Sequence, residues 1–569
     1  MTYIDNTKRE VNADISSTLA SLSLDFGINA DPVVKRGMKT LLNLVERLSA
    51  ENVALREDVQ RLKDEINRLK GEQGKPDIKP NKNSGDISSE KERRSREPDD
   101  RKKRGTKLDK ITVHRTAVCP VDKDKLPADA VFKGYQPVIV QDLEIVPANT
   151  EFRKEMYYSP SQHKTYIGDL PVGYDGEFGP GIRSLTISLK HVCNMSEPKI
   201  LEFFQEHEVV ISAATISRML TKDMDIFHQE KADLYRAGLA SSSHQQVDDT
   251  RARVRGQNHH TQIMCNDFYT AYFTTARKDR LTILDVLRQF ESRMFLFNSQ
   301  TTRLLESLRV PEQVRQKLSG IPQGEAFNEE TFETRLQGLF PEMEKNGLQW
   351  TRIKEAAAIA AYQQEIGRPV VKILFCDDAP QFKLLTESLG LCWVHDGRHY
   401  KKLTPVVPVH AQLLAAFRER YWDFYEKLRK YKKDPSGELA AALAAEFDVL
   451  FATETGYEAL DERIAKTLAK KEMLLLVLRH PELPLHNNAC ELEARVAARR
   501  RDVSLHTMTA EGTRALDTMT SIVRTAKKLG ISAFKYIRDR VSRSFQLPAL
   551  AELIRARAAN HAKAPCAET

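Results

Sequence analysis

Two aspartate pairs and one glutamate stand in this 569-residue chain where the local pattern would hold a carboxylate on a strand, at the end of a strand or on a helix. The first pair, Asp248 and Asp249, lies in HQQVDDT, and QNHHTQIMCNDFYTAYFTTA follows it. The segment reads as three antiparallel strands, the last two joined near Asn266 and Asp267. The second pair, Asp377 and Asp378, abruptly ends VVKILFCDD, an apolar run of the kind expected of a buried strand. The glutamate is Glu491 in LPLHNNACELEARVAARRR, three residues after Asn488, which is placed to cap a helix. Taken singly, each motif has an ordinary explanation; the last approximates a capping box with an i,i+4 pair between Glu491 and Arg495. Taken together they supply what phosphoryl transfer requires, a few convergent carboxylates able to hold two Mg²⁺ ions about 3.5–4 Å apart. The ions offset charge that develops on the phosphate, so uncharged side chains would forfeit most of the catalysis. An Asp on a first strand, an Asp ending a later strand and a Glu on a late helix form an RNase H-like arrangement.

The elements that must position these acids can be read outward from them. After Asp377 a helix-like segment over 381–389 and a strand in LGLCWVH predict strand-helix-strand order. Helical patterns near 297–364 and 409–475 read as insertions into the core. His395, Arg398 and Lys401 fall near the second acid, and Arg495, Arg499, Arg500 and Arg501 follow the third; basic side chains there would position DNA phosphates, although solvated helix faces look the same. Asp249, Asp378, His395 and Asn488 are candidates to stand beside the ligands. Upstream, EPKILEFFQEH and ISAATISRML have helix-turn-helix spacing, with Ser212 as cap. Thr215, Ser217, Arg218 and Lys222 would then face a groove. Residues 111–180, with VIVQDLEIV and FRKEMYY, suggest a small β-rich module. His114, Cys119 and His163 lack the paired short spacing of a tetrahedral zinc site, so no zinc is expected there.

Nearer the amino terminus, Leu41, Val45, Leu48, Asn52, Leu55, Val59, Leu62, Ile66 and Leu69 recur in alternating steps of four and three. With Leu at every d position and Val, Asn or Ile at a, this seam favours a parallel dimer. Glu51, Asp58 and Glu65 at g face Arg56, Lys63 and Lys70 at e′, attractive in a parallel pair and repulsive in an antiparallel one. One amphipathic helix packed on its own chain is the plainer alternative. Residues 72–110 are polar and highly charged, reading as a disordered linker whose basic stretch, 101–107, could hold phosphates.

The composition admits this plan. The chain is 41% hydrophobic and 29% charged, with 87 Lys plus Arg against 79 Asp plus Glu, a net +8 that alone does not prove nucleic-acid binding. Seven scattered cysteines without a CxxC pair read as reduced thiols. The opening MTYIDNTKRE has no signal-peptide pattern, and the longest apolar run, 473–478, is far below the ~20 residues of a membrane span. A cytoplasmic, nucleoid-associated bacterial protein with no membrane partner is expected.

In their order along nearly the whole chain these motifs resemble the insertion sequence 66 transposases. That family looks like a leucine-zipper start, a basic linker, a zinc-finger-like module, a helical DNA-binding segment and a DDE core. Its Asp-Glu-Thr motif is matched by Asp248, Asp249 and Thr250. Its Cys-Trp-x-His motif with a nearby Arg is matched by Cys392, Trp393, His395 and Arg398, and its Asn-Asn-x-x-Glu motif by Asn487, Asn488, Glu491 and the following Arg495. Leu492 replaces an Arg, Asp249 replaces a Glu, most zinc cysteines are missing, and the stretch between the first two acids is long, all marks of a divergent member. The resemblance selects Asp248 and Asp377 from their pairs as catalytic metal ligands with Glu491, holding two Mg²⁺ with Mn²⁺ as an alternative. It implies binding to terminal inverted repeats and target DNA, release of a 3′-OH and its joining to the target, with self-assembly and accessory proteins of the same element as further partners. A retired transposase that only binds DNA and an RNase H-like nuclease without joining activity are the competing functions.

The expected fold is therefore multidomain α+β: an N-terminal segment (1–37), a parallel coiled coil (38–71), a linker (72–110), a degenerate zinc-finger-like module (111–180), a helix-turn-helix-like segment (181–240), an RNase H-like α/β catalytic core with helical insertions (241–510), and C-terminal helices and tail (511–569).

Overall fold

The computed structural model describes residues 31–70, 111–127, 130–174, 176–345 and 347–563. The expected linker at 72–110, with its basic run 101–107, and most of the N-terminal segment lie outside these residues. The chain is a mixed α+β protein organised around a mixed five-stranded sheet.

Helix α1 (Pro32–Leu69) opens with the Asp31 carboxylate accepting the Val33 N–H. A hairpin follows, β1 (Met156–Ser159) and β2 (Lys164–Ile167), and then four helices: α2 (Pro180–His191), α3 (Glu197–Glu206), α4 (Ala213–Thr221) and α5 (Asp225–Ala240). The sheet begins with β3 (His244–Val254), β4 (Gln257–Cys265) and β5 (Thr270–Thr275), the antiparallel trio expected from the alternation. Next come α6 (Arg280–Leu287), β6 (Met294–Leu296), α7 (Ser299–Ser307), α8 (Glu312–Leu318), β7 (Ala326–Asn328), α9 (Glu329–Leu339) and α10 (Leu348–Gln363). The sheet resumes with β8 (Ile373–Cys376) and β9 (Ser388–Leu391). A second helical stretch holds α11 (Trp393–Lys401), α12 (Pro408–Lys433), α13 (Gly437–Phe451), α14 (Glu458–Leu468) and α15 (Lys471–Leu474), and the chain closes with α16 (Asn488–Ser504), α17 (Ala510–Lys528), α18 (Ala533–Val541) and α19 (Leu550–Lys563).

Strand order is β5-β4-β3-β8-β9, with β3, β8 and β9 parallel. The outer edge of β5 is closed by a helix. Thr270, Tyr272 and Thr274 donate their backbone N–H groups to the side chains of Thr525, Ser521 and Asp517 on α17. Four helical residues rise about 6 Å and two strand residues about 6.8 Å, so the two spacings stay in step over this length. The edge is thereby satisfied and withheld from other strands. Across the sheet, α16 crosses β3 and β4 and packs Cys490 against Ile263, Cys265 and Tyr272.

Several local expectations change. The described residues of 111–155 hold one short 3-10 turn, and VIVQDLEIV forms no strand; among the described residues the expected β-rich module reduces to the β1–β2 hairpin, which is largely exposed. Alternation had nothing to pack against there. The segment 381–389 is a 3-10 turn at Pro380–Phe382 leading into β9, not a helix, and β9 ends at Leu391, so Cys392, Trp393 and His395 begin a helix instead of continuing a strand. The insertion near 297–364 is mostly helical but includes β7, paired with β6.

On α1 the a/d seam faces outward: Leu41, Leu48, Leu55, Val59, Leu62, Ile66 and Leu69 are exposed. Asn43 and Glu46, off that seam, touch the second helical stretch. The Glu46 carboxylate accepts the N–H groups of Val406 and Val407 at the start of α12, 2.9–3.1 Å away, and lies 3.2 Å from Nδ1 of buried His410. Asn43 accepts the Glu458 N–H at the start of α14 (2.9 Å) and donates to the Gly456 carbonyl (2.9 Å). Two helix N-termini, each with donors that the helix itself leaves unused, are thus capped from a third helix.

Candidate functional site

The parallel pairing of β3 and β8 sets Gln246 opposite Phe375. Two residues further along each strand come Asp248 and Asp377, on adjacent strands and the same face by the two-residue period. The β8 side is buried throughout Ile373–Cys376, so Asp377 is the first residue to emerge. Helix α16 brings Glu491 over this edge. The helix is positioned by Asn487, which is fully buried and donates from Nδ2 to the Val247 carbonyl at 2.9 Å. Here the structure corrects the capping expectation: Asn487, not Asn488, is the cap residue, and its side chain is spent on β3 instead of the helix N-terminus. Asn488 is simply the first helical residue.

Within each aspartate pair the two acids differ in what neutralises them. Asp249 lies 3.2 Å from Lys278 Nζ and accepts from Gln381 at 3.0 Å. Asp378 lies 2.7 Å from Lys383 and 2.6 Å from Lys470, and these ammonium groups outweigh burial and hold its carboxyl below the usual value. Among the described residues, Asp248 and Asp377 have backbone donors only, the N–H of Asp249 at 2.8 Å and of Ala379 at 3.2 Å. Burial, the facing Asp377 carboxylate and Glu491 push Asp248 up to about 8. Burial, with Asp249 and Asp378 nearby, also raises Asp377. Two carboxyls with unmet negative charge therefore sit side by side, a donor set of hard oxygens suited to a divalent cation.

Glu491 is held differently. Its carboxylate lies 2.9 Å from Arg398, 3.5 Å from His395 Nε2 and 3.8 Å from Arg495. Burial and Arg398 hold His395 down to about 4, so its imidazole is neutral at physiological pH. Among the described residues, the ligand atoms found within 4.8 Å of one another are those of Cys392, His395 and Glu491, not those of the three acids. Cys392 accepts the Asn487 N–H at 3.2 Å, and burial pushes its thiol up to about 12, so it stays protonated. In this conformation Glu491 leans toward Arg398.

The remaining basic candidates divide. Arg495 and Arg499 are exposed, and with Glu491 they follow the i,i+4 stripe of α16. Arg501 is half-buried and donates to the Arg251 carbonyl. Arg500 does not belong with them: it is buried, donating to Thr520 and to the His191 carbonyl, so it braces α16 against α17 and α2 and is unavailable to DNA. On α4, Ser212 caps as expected, accepting the Thr215 N–H at 3.1 Å. Arg218 and Lys222 are exposed there, Thr215 and Ser217 half-buried.

Lys278, Lys383 and Lys470, which decide the aspartate pairs, were not singled out in the sequence, and nothing local marks them. Asp396, inside CWVHD, was also passed over; it is buried and paired with Arg463, and Lys470 stands 3.7 Å from it.

A sequence model described as Transposase IS66 family matches residues 357–515, a span that includes Asp377 and Glu491 and begins after Asp248. An uncharacterized protein of Sinorhizobium fredii (strain NBRC 101917 / NGR234), y4jO, is 33% identical over 323 residues, covering 57% of this chain and 99% of that protein. The chain belongs to the IS66 transposase family. The family match thus takes in the second and third acids, the Cys392–Arg398 segment and the start of α17. No helix among the described residues is long and apolar enough to cross a membrane.

Proposed function

We propose that the chain is a DDE transposase that binds the terminal repeats of a mobile element, hydrolyses a strand to expose a 3′-OH and joins it to target DNA. The observation that carries this reading is the asymmetry of the aspartate pairs: lysines neutralise Asp249 and Asp378 and leave Asp248 and Asp377 uncompensated beside each other, with Glu491 adding to the charge. Asp248, Asp377 and Glu491 would hold two Mg²⁺, or Mn²⁺, in an RNase H-like core. Such ions supply Lewis-acid stabilisation of the phosphate and activation of the attacking oxygen.

The chain's own residues do the rest. Arg398 and His395 fix the Glu491 carboxylate until it is drawn toward the aspartates, and Arg398, once released, is a cation beside the reacting phosphate. Arg495 and Arg499 extend the cationic stripe along α16 toward the DNA backbone. The α3–α4 pair acts as a helix-turn-helix, presenting Thr215, Ser217, Arg218 and Lys222. The outward seam of α1 pairs two copies in parallel.

One observation favours the second reading, a protein that binds DNA without cutting it: Glu491 is ion-paired to Arg398 and not gathered with the aspartates. Purified protein incubated with Mg²⁺ and labelled DNA from the element's ends separates the two. Joined product from the wild type, lost in Asp377→Asn and Glu491→Gln while end binding persists, supports the transposase. Binding without nicking or joining by the wild type leaves the second reading.

A further inference from the structure

Between α2–α4, the far end of β3 and the junction of α16 with α17 lies a cavity of about 910 Å³. Its volume is in the range of small-molecule and cofactor sites. One part of its lining is cationic on balance, with Lys190, Arg251, Arg253 and Arg501 outnumbering Glu197 and Asp517, and another is apolar, with Leu201, Leu220, Val503 and Leu516. His191, 5% exposed, also lines it, and its Nδ1, closed off behind the ring, has no hydrogen-bond partner among the described residues. A buried ring nitrogen left this way is costly, and a turn of the ring that let a ligand meet it would relieve that cost. A ligand matching all three features is anionic, has a flat apolar body and carries hydrogen-bonding groups on its edge, which describes a nucleotide.

The rim adds a fourth feature. Leu505 ends α16 at φ 55, a left-handed conformation that a leucine rarely adopts, and it is 68% exposed. Met508 beside it is also exposed. The loop carrying them is fastened to β3, with the Arg255 N–H donating to Thr507 O (2.9 Å) and the Thr507 N–H to Arg253 O (3.3 Å). An apolar side chain held in solvent on a fastened loop has the character of the wedges that unstack base pairs. Along β3, Arg251 and Arg253 lie three and five residues past Asp248, about 10–17 Å at ~3.3 Å per residue. That is roughly three to five base-pair steps of duplex.

We infer that this cavity receives a single nucleotide unstacked from the bound DNA, its phosphates on Arg251 and Arg253, its base between the apolar wall and His191, and Leu505 in the gap it leaves. This rests on the DNA-processing reading above. Unstacking costs a few kcal/mol in a paired duplex and less near an end or nick, so the pocket would favour DNA at the element's boundary.

The test uses the full chain and two probes, an octathymidylate carrying one 5-iodouracil and a 30-base-pair duplex carrying the same base near one end. Irradiation followed by mass spectrometry is expected to cross-link both to peptides containing His191 or residues 505–508. By fluorescence anisotropy, Arg253→Glu should weaken both probes tenfold or more, and Leu505→Ala should weaken the duplex more than the octathymidylate; both residues are exposed, and thermal melts check that the variants fold. Duplex binding with cross-links only elsewhere, or undiminished binding by both variants, overturns the cavity while leaving the transposase reading standing. Failure to bind either probe overturns both.

Discussion

Replacing Asp248 by Asn gives the sharpest measure of the charge stored on the central strand beside the end of β8. Its carboxyl is raised from an ordinary 3.8 to about 8, first by burial and then by Asp377. A carboxyl that holds its proton more tightly when folded stabilises the fold only while protonated, so the folded protein loses stability as pH climbs from about 4 through about 8, and the loss is constant above that. At 1.36 kcal/mol per pH unit the penalty is at most about 4 kcal/mol at pH 7 and about 6 kcal/mol above pH 8. Solvent relaxation and coupling to Asp377 reduce this, and we expect about 1–4 kcal/mol at pH 8. Asn carries no charge to desolvate. In EDTA, Asp248→Asn should therefore melt above the wild type by about 2–16 °C at pH 8.5 and by much less at pH 5, taking about 2–4 °C per kcal/mol. Differential scanning calorimetry across that pH range, with and without Mg²⁺, provides the assay. Added Mg²⁺ should raise the wild-type transition and narrow the gap, because a ligand that binds only the folded state stabilises it. An equal gap at pH 5 and pH 8.5, or a variant less stable than wild type in EDTA at high pH, would refute the stored-charge argument.

Other outcomes follow from single contacts. Glu493, two residues from Glu491, is buried between Arg524 and the Tyr272 hydroxyl; Glu493→Ala should cost about 3–5 kcal/mol in urea unfolding, whereas Glu491→Gln, at a partly exposed pair, should cost no more than about 1 kcal/mol. Glu46→Ala uncaps α12 and should lose about 1–2 kcal/mol locally, seen as faster amide exchange at 406–411 with no change in β3. Leu55→Glu places a charge in the exposed seam and should shift sedimentation from dimer to monomer without lowering the melting temperature of the sheet-containing core. A wild type that sediments as a monomer at all concentrations would remove the coiled coil from the account.

Short-range patterns in the sequence located the strands β3, β4, β5 and β8, the Ser212-capped helix α4 and the long helix α1, because periods of 2 and 3.6 follow from backbone geometry that any few residues express. They also placed Asp248 on a strand, Asp377 at the end of one and Glu491 in the first turn of a helix. Periodicity failed where no partner surface exists, as in VIVQDLEIV, and where a short parallel crossover replaced the expected helix before β9. What the sequence could not reveal was which acid of each pair bears unmet charge, since Lys278, Lys383 and Lys470 arrive from elements up to about ninety residues away. For the same reason Arg500 looked like its neighbours in an arginine run until α2 and α17 closed over it. A carboxylate's or guanidinium's role is set by what surrounds it, and only tertiary folding brings those surroundings together.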